Sequence, residues 1–190
     1  MVEPIDPKTV SNLCNTFKVS KKTCEHFNEI YYNDIQPRLQ KKYLAHLISS
    51  IEEMIDEKIK RERINETAED TLGGKTRDFF IVLRQDPPPG KVADVLCFKN
   101  GAIINHIPSD NFKELRIFIA HELGHVLRFY KIITNDDNEN HANLFAYFAI
   151  NGKNKFYTEK VQDLLYPTEE QIISNIQELC PIKEERQHDD

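Results

Sequence analysis

The stretch His121-Glu122-Leu123-Gly124-His125 places two histidines four residues apart with a glutamate beside the first. On an α-helix, residues four apart stack on one face, so both ring nitrogens can converge on one cation at about 2.0–2.1 Å, the usual zinc–nitrogen distance. Glu122 leaves the helix about 100° around from His121 and flanks the metal position without filling it. Zinc acidifies a bound water, and a neighbouring carboxylate can take that water's proton. HExxH is for this reason a signature of metalloproteases. The pentapeptide also arises by chance, so its surroundings decide: it must lie on a regular buried helix, and a third ligand must follow.

The surroundings predict such a helix. Pro108-Ser109-Asp110-Asn111 is a turn and start signal, with Asn111 at the N-cap and Glu114 three residues on approximating a capping box. Leu115, Phe118, Ile119, Val126, Leu127 and Tyr130 recur at three- and four-residue steps, and Ile117 and Leu123 widen the stripe. A helix this apolar belongs in a core. Burying His121, Glu122 and His125 there is costly unless they are paired or hold a metal.

A third histidine in the pattern HExxHxxGxxH is excluded, because Arg128 and Lys131 stand at the two positions it requires. The other common solution is a glutamate from a following helix. Asp136-Asp137-Asn138 is a turn cluster, and Ala142, Phe145, Ala146 and Ala149 after it keep helical spacing. Glu139 and Asn143 share a face there, so Glu139 can bind zinc while Asn143 hydrogen-bonds the free ring nitrogen of one histidine. His141 is the rival ligand. It points about 200° away from Glu139 on a regular helix, so the two cannot both face the metal, and Glu139 is preferred for its partner one turn on. Asp136 and Asp137 read as helix-start residues.

The two segments together, Ile119-Ala120-His121-Glu122-Leu123-Gly124-His125 and Glu139-x-x-Ala142-Asn143-x-Phe145-Ala146, resemble the ImmA/IrrE family of intracellular zinc metallopeptidases. The resemblance covers roughly residues 78–152 and includes the run Ile103-Ile104-Asn105 before a short proline-containing loop. It implies metal ligands at His121, His125 and Glu139, a general base at Glu122, and a protein substrate, typically a transcriptional repressor, cut inside the cell. It also implies a zincin-like core. The family's usual Leu-Leu-Met-Pro ending is replaced by Ala149-Ile150-Asn151-Gly152, and Phe129 stands where the family often has a histidine. These departures bear on the floor of the cleft and on substrate choice.

Composition limits the alternatives. The 190 residues suit one domain or a compact domain with a helical extension. A net charge of −6 argues against direct nucleic-acid or anionic-membrane binding. The amino-terminal residues show no signal peptide, and no run approaches the ~20 apolar residues of a membrane span. Cys14, Cys24, Cys97 and Cys180 are scattered without a CxxC pair, as expected of reduced thiols in a cytoplasmic protein.

The expected fold class is α+β. A helical region, 1–70, packs on a zincin-like core, 71–182, that carries a small antiparallel sheet on the HExxH helix, and a charged tail, 183–190, is disordered. Within residues 43–59, Leu44, Leu47, Ile48, Ile51, Met54, Ile55 and Ile59 form one stripe, with Glu52, Glu53, Asp56, Glu57 and Lys58 outside it. Residues 65–76 read as a linker. Residues 79–83 read as a fully apolar strand stopped by Asp86-Pro87-Pro88-Pro89-Gly90. Strands over 92–98 and 102–107 flank Asn100-Gly101, a tight-hairpin turn. Strand 102–107 is a candidate edge that could pair with an extended peptide across the metal. Residues 158–165 and 168–179 read as two further helices. Residues 13–24 have a faint helix-turn-helix cadence, but residues 1–35 carry four lysines against five acids, so plain helical packing is preferred to DNA reading.

The function expected from these residues is zinc-dependent endoproteolysis. Tyr147, Tyr157, His106, His141 and Arg128 are open candidates for stabilising the oxyanion. The alternative is a regulatory protein that keeps the scaffold and binds a repressor without cutting it. A structural zinc site is disfavoured, since such sites take four ligands, mostly cysteine, and neither motif has one nearby.

Overall fold

Asp6 begins the first helix by accepting hydrogen bonds from the backbone N–H groups of Lys8 and Thr9. The computed structural model describes residues 6–35, 43–66, 79–108, 112–133, 139–151, 173, 176 and 177. Helix α1 (Pro7–Phe17) ends at Lys18 in the left-handed region, and α2 (Lys21–Glu29) starts on the Ser20 side chain. A π-helical stretch, Ile30–Ile35, continues α2 directly. The helix-turn-helix cadence of residues 13–24 is thus a real helix pair. Its apolar side, Leu13, Phe17, Cys24 and Phe27, is buried in the common core, and both α1 and α2 pack against a later helix, α5 (Glu139–Asn151).

Helix α3 (Tyr43–Glu66) buries Leu47, Ile51, Met54 and Ile55 as its stripe requires. Two residues expected outside that stripe, Glu52 and Asp56, are buried as well. The structure supplies the reason for Glu52. Its Oε1 accepts the backbone N–H of Ile81 at 2.7 Å, which ties α3 to the first strand. Asp56 is paired with Lys60 at 2.8 Å.

Among the described residues the sheet has three strands, β1 (Phe80–Arg84), β2 (Ala93–Phe98) and β3 (Gly101–His106), in the order β1-β3-β2. The antiparallel sheet expected from the sequence is corrected to a mixed one: β2 and β3 are antiparallel, whereas β1 and β3 are parallel. The connection explains the difference. Residues 85–92, with prolines at 87, 88 and 89, do not close a tight hairpin. They carry the chain across two strand spacings of about 4.8 Å each, and β3 then returns into the gap. It follows that strand 101–106 is central, with both edges used, and is not the free edge proposed for residues 102–107. Among the described residues, the free edges belong to β1 and β2.

The hairpin turn also shifts by one residue. Phe98 pairs with Gly101, so Lys99 and Asn100 form the turn. Gly101 is needed for space, since a Cβ there would lie 2.8 Å from the Phe80 carbonyl oxygen. Strand β1 was expected to be fully apolar. Ile81 is buried, but Phe80 and Val82 are about half exposed, as are Leu96 and Phe98 on β2. Among the described residues, one face of the sheet is therefore packed and the other open.

Helix α4 (Phe112–Phe129) covers the packed face against β2 and β3. It ends in a Schellman arrangement, with Lys131 left-handed, Ile132 N–H donating to Leu127 O at 2.9 Å and Lys131 N–H to Arg128 O at 2.8 Å. Helix α5 packs on α4, with Phe145, Ala146 and Ala149 buried. The expected linker at 65–76, the helices at 158–165 and 168–179, the tail at 183–190 and Cys180 lie almost wholly outside the described residues. Of them, Ile173 and Ile176 pack against the core. Among the described residues no helix is long and apolar enough to cross a membrane.

Candidate metal centre

Helices α4 and α5 bring together the three side chains selected as ligands. His121 Nε2 lies 3.2 Å from His125 Nε2 and 3.1 Å from Glu139 Oε2, and His125 Nε2 lies 3.7 Å from that same oxygen. A tetrahedral ion with bonds of about 2.0–2.1 Å needs its ligand atoms about 3.3–3.4 Å apart. The triangle has that size. Among the described residues, this is the one group of His, Cys, Asp or Glu side chains that converges in this way. Two imidazoles and a carboxylate form a donor set suited to zinc and to other divalent transition metals.

His121 is oriented from behind. Its Nδ1 lies 2.8 Å from Asn143 Oδ1, which only accepts, so Nδ1 carries a proton and Nε2 is the nitrogen left to bind a metal. Asn143 is fully buried one turn after Glu139, as the spacing on α5 required. His141 is on the far side of α5, buried and stacked on Phe27 with ring centroids 6.0 Å apart. The structure thus separates it from the cluster.

Glu122 is buried, 6 % exposed. Burial raises its pKa above the usual carboxylate value, the positive charge of His121 and His125 opposes that, and Asp94 and Glu139 add to the rise. A carboxylate held this way is a better proton acceptor than one in water. Glu139 shifts oppositely: hydrogen bonds from His121 and His125 hold it well below the ordinary range. The two glutamates are therefore shifted in opposite directions.

The contact that lets α5 reach α4 was missed in the sequence. A Cβ on Gly124 would meet Ala142 Cα at 2.8 Å, so the helices touch backbone to backbone at the level of the cluster. A glycine in a helix interior costs roughly 0.5–1 kcal/mol relative to alanine, and that cost was the available signal. Asp94 and Lys91, whose charges act on or respond to Glu122, were also missed. They lie ahead of the motif, and no helical spacing links them to it.

The oxyanion candidates are placed variously. Tyr147 is buried against Phe17 of α1, His106 is buried with its Nδ1 2.8 Å from Ile107 O, and Arg128 is half-buried in the last turn of α4. Tyr157 lies outside the described residues. The residues that replace the family's usual ending, Ala149 and Ile150, are buried in the core, and Phe129 is 56 % exposed. No protein-family model, no curated protein and no solved structure matches this chain.

Proposed function

We propose that the protein is a zinc-dependent endopeptidase of the ImmA/IrrE type, acting inside the cell on a regulatory protein such as a helix-turn-helix repressor. The observation that carries the proposal is the ligand triangle of His121, His125 and Glu139, with edges of 3.1–3.7 Å, lying beside a buried glutamate that is not part of it. Three ligands leave a fourth position for water or substrate, the arrangement of catalytic and not structural sites. Bound there, zinc would supply Lewis acidity to a carbonyl oxygen and to water.

The chain's own residues supply the remaining steps. Asn143 fixes the tautomer of His121. Glu122 takes a proton from the attacking water and returns it to the leaving amine, for which its raised pKa suits it. Strand β2 is an edge strand packed along α4, so an extended peptide adding to that edge would run beside the cluster.

Metal content and cleavage are measured on the same preparations, with a co-encoded repressor as substrate. The wild type is expected to hold one zinc per chain and to cut. Glu122→Gln should keep the metal and lose cleavage by at least about 100-fold, and His121→Ala should lose both. Unchanged turnover in Glu122→Gln refutes the base assignment. Full metal with no cleavage by the wild type favours the non-cutting regulatory reading.

A further inference from the structure

Strand β2 and helix α4 are pinned to each other at one end. Tyr130, just past the end of α4, donates its hydroxyl to the carbonyl oxygens of Phe98 and Gly101 at the hairpin. The other end of α4 follows β3 through a short connection, so α4 runs back along the sheet in the same sense as β2. From the Tyr130 anchor, Glu122 is eight residues back along the helix, about 12 Å at 1.5 Å per residue. Asp94 is four residues back along β2 from Phe98, about 13 Å at 3.3 Å per residue. Asp94 and Glu122 therefore stand at the same level.

Lys91 lies three residues before Asp94, and its side chain reaches back to that carboxylate. Its backbone N–H donates to Pro88 O at 3.1 Å, and the next residue, Val92, accepts from Ile107 N–H at 2.9 Å. Its ammonium is paired with Asp94, whose side chain is largely buried, while the lysine itself remains half exposed. We infer that Lys91, clamped by Asp94, forms an anion subsite beside the His121–His125–Glu139 centre and donates a hydrogen bond to the anionic oxygen of a ligand bound there.

Electrostatics agree with the placement. The negative charges of Glu122 and Glu139 both act on Lys91, and that of Asp94 acts on Glu122. The inference rests on the hydrolytic reading above and extends it. As water oxygen bonds to the scissile carbon, the carbonyl π pair moves onto its oxygen. Lys91 donates a hydrogen bond to that oxygen without transferring its proton, and the bond strengthens as charge develops. Lysine as a flexible point charge suits a single oxygen better than a planar carboxylate.

The test uses the full chain loaded with cobalt(II) and inorganic phosphate as the probe, read from the cobalt visible spectrum. Phosphate should perturb the wild-type spectrum, and Lys91→Met should weaken its binding at least ~10-fold. Lys91→Arg should restore most of the affinity. Lys99→Met, a charge removed at the far hairpin, should leave it unaltered. Equal cobalt stoichiometry in all variants shows that they are folded. Phosphate binding that is the same in Lys91→Met as in wild type overturns the inference and leaves the metal centre standing. A wild-type chain that holds no cobalt overturns both.

Discussion

At the residue scale, the centre depends on what stands behind each ligand. His121 points its Nε2 correctly only because Asn143 Oδ1 fixes the other ring nitrogen at 2.8 Å. Asn143→Ala removes that acceptor within a fully buried site. The affinity for zinc is then expected to fall ~10–100-fold, measured by competition with a chromophoric chelator, while Asn143→Asp, which still accepts, keeps most of it. An alanine variant that binds as tightly as wild type shows that the hydrogen bond does not orient the ligand. These residues were legible in the sequence because their relations are short-range and helical. Steps of four residues link His121 to His125 and Glu139 to Asn143 on any α-helix. Lys91 and Asp94 were not legible, because no local spacing links their charges to that of Glu122.

At the element scale, α3 is attached to the sheet through one buried hydrogen bond. Glu52 Oε1 accepts from Ile81 N–H at 2.7 Å, and both residues are buried. Glu52→Ala leaves that amide without its acceptor, and the cost is about 1–3 kcal/mol by urea denaturation. Glu52→Gln retains an amide oxygen and recovers most of the loss. If both variants unfold at the wild-type midpoint, the contact does not anchor β1. The apolar period of α3 correctly identified its core face. It did not show that the polar side would be buried too, since a period records only which residues avoid water, not which polar ones find partners. The sheet was misread for a related reason. Alternation and turn residues located three strands, but the pairing partner of β1 depends on how far residues 85–92 travel, and no local pattern states that.

At the scale of the whole molecule, the His121–His125–Glu139 cluster spans α4 and α5, and α5 in turn packs on α1 and α2. A cation bound by the native state alone therefore stabilises the entire assembly. At a free metal concentration near 100 times its dissociation constant, the gain is about 2.7 kcal/mol, or roughly 5–10 °C in Tm for a chain of this size. Removing the metal with a chelator should lower the wild-type Tm by that amount and leave His121→Ala unmoved. Equal shifts in both proteins place the stabilising ion elsewhere. The open face of the sheet, with Phe80, Val82, Leu96 and Phe98, is a feature of the same scale. The strand sequences alone do not distinguish it from a covered one.

The sequence by itself determined the two helices and the candidate ligand side chains that converge between them, because side chains three or four residues apart on a helix have their geometry set by the backbone. Only the tertiary structure decided the mixed strand order, the burial of Glu52 and Asp56, and the backbone contact of Gly124 with Ala142. Each of these depends on where two distant segments meet, which is settled by the packing of the whole core and by the path of the loops between them.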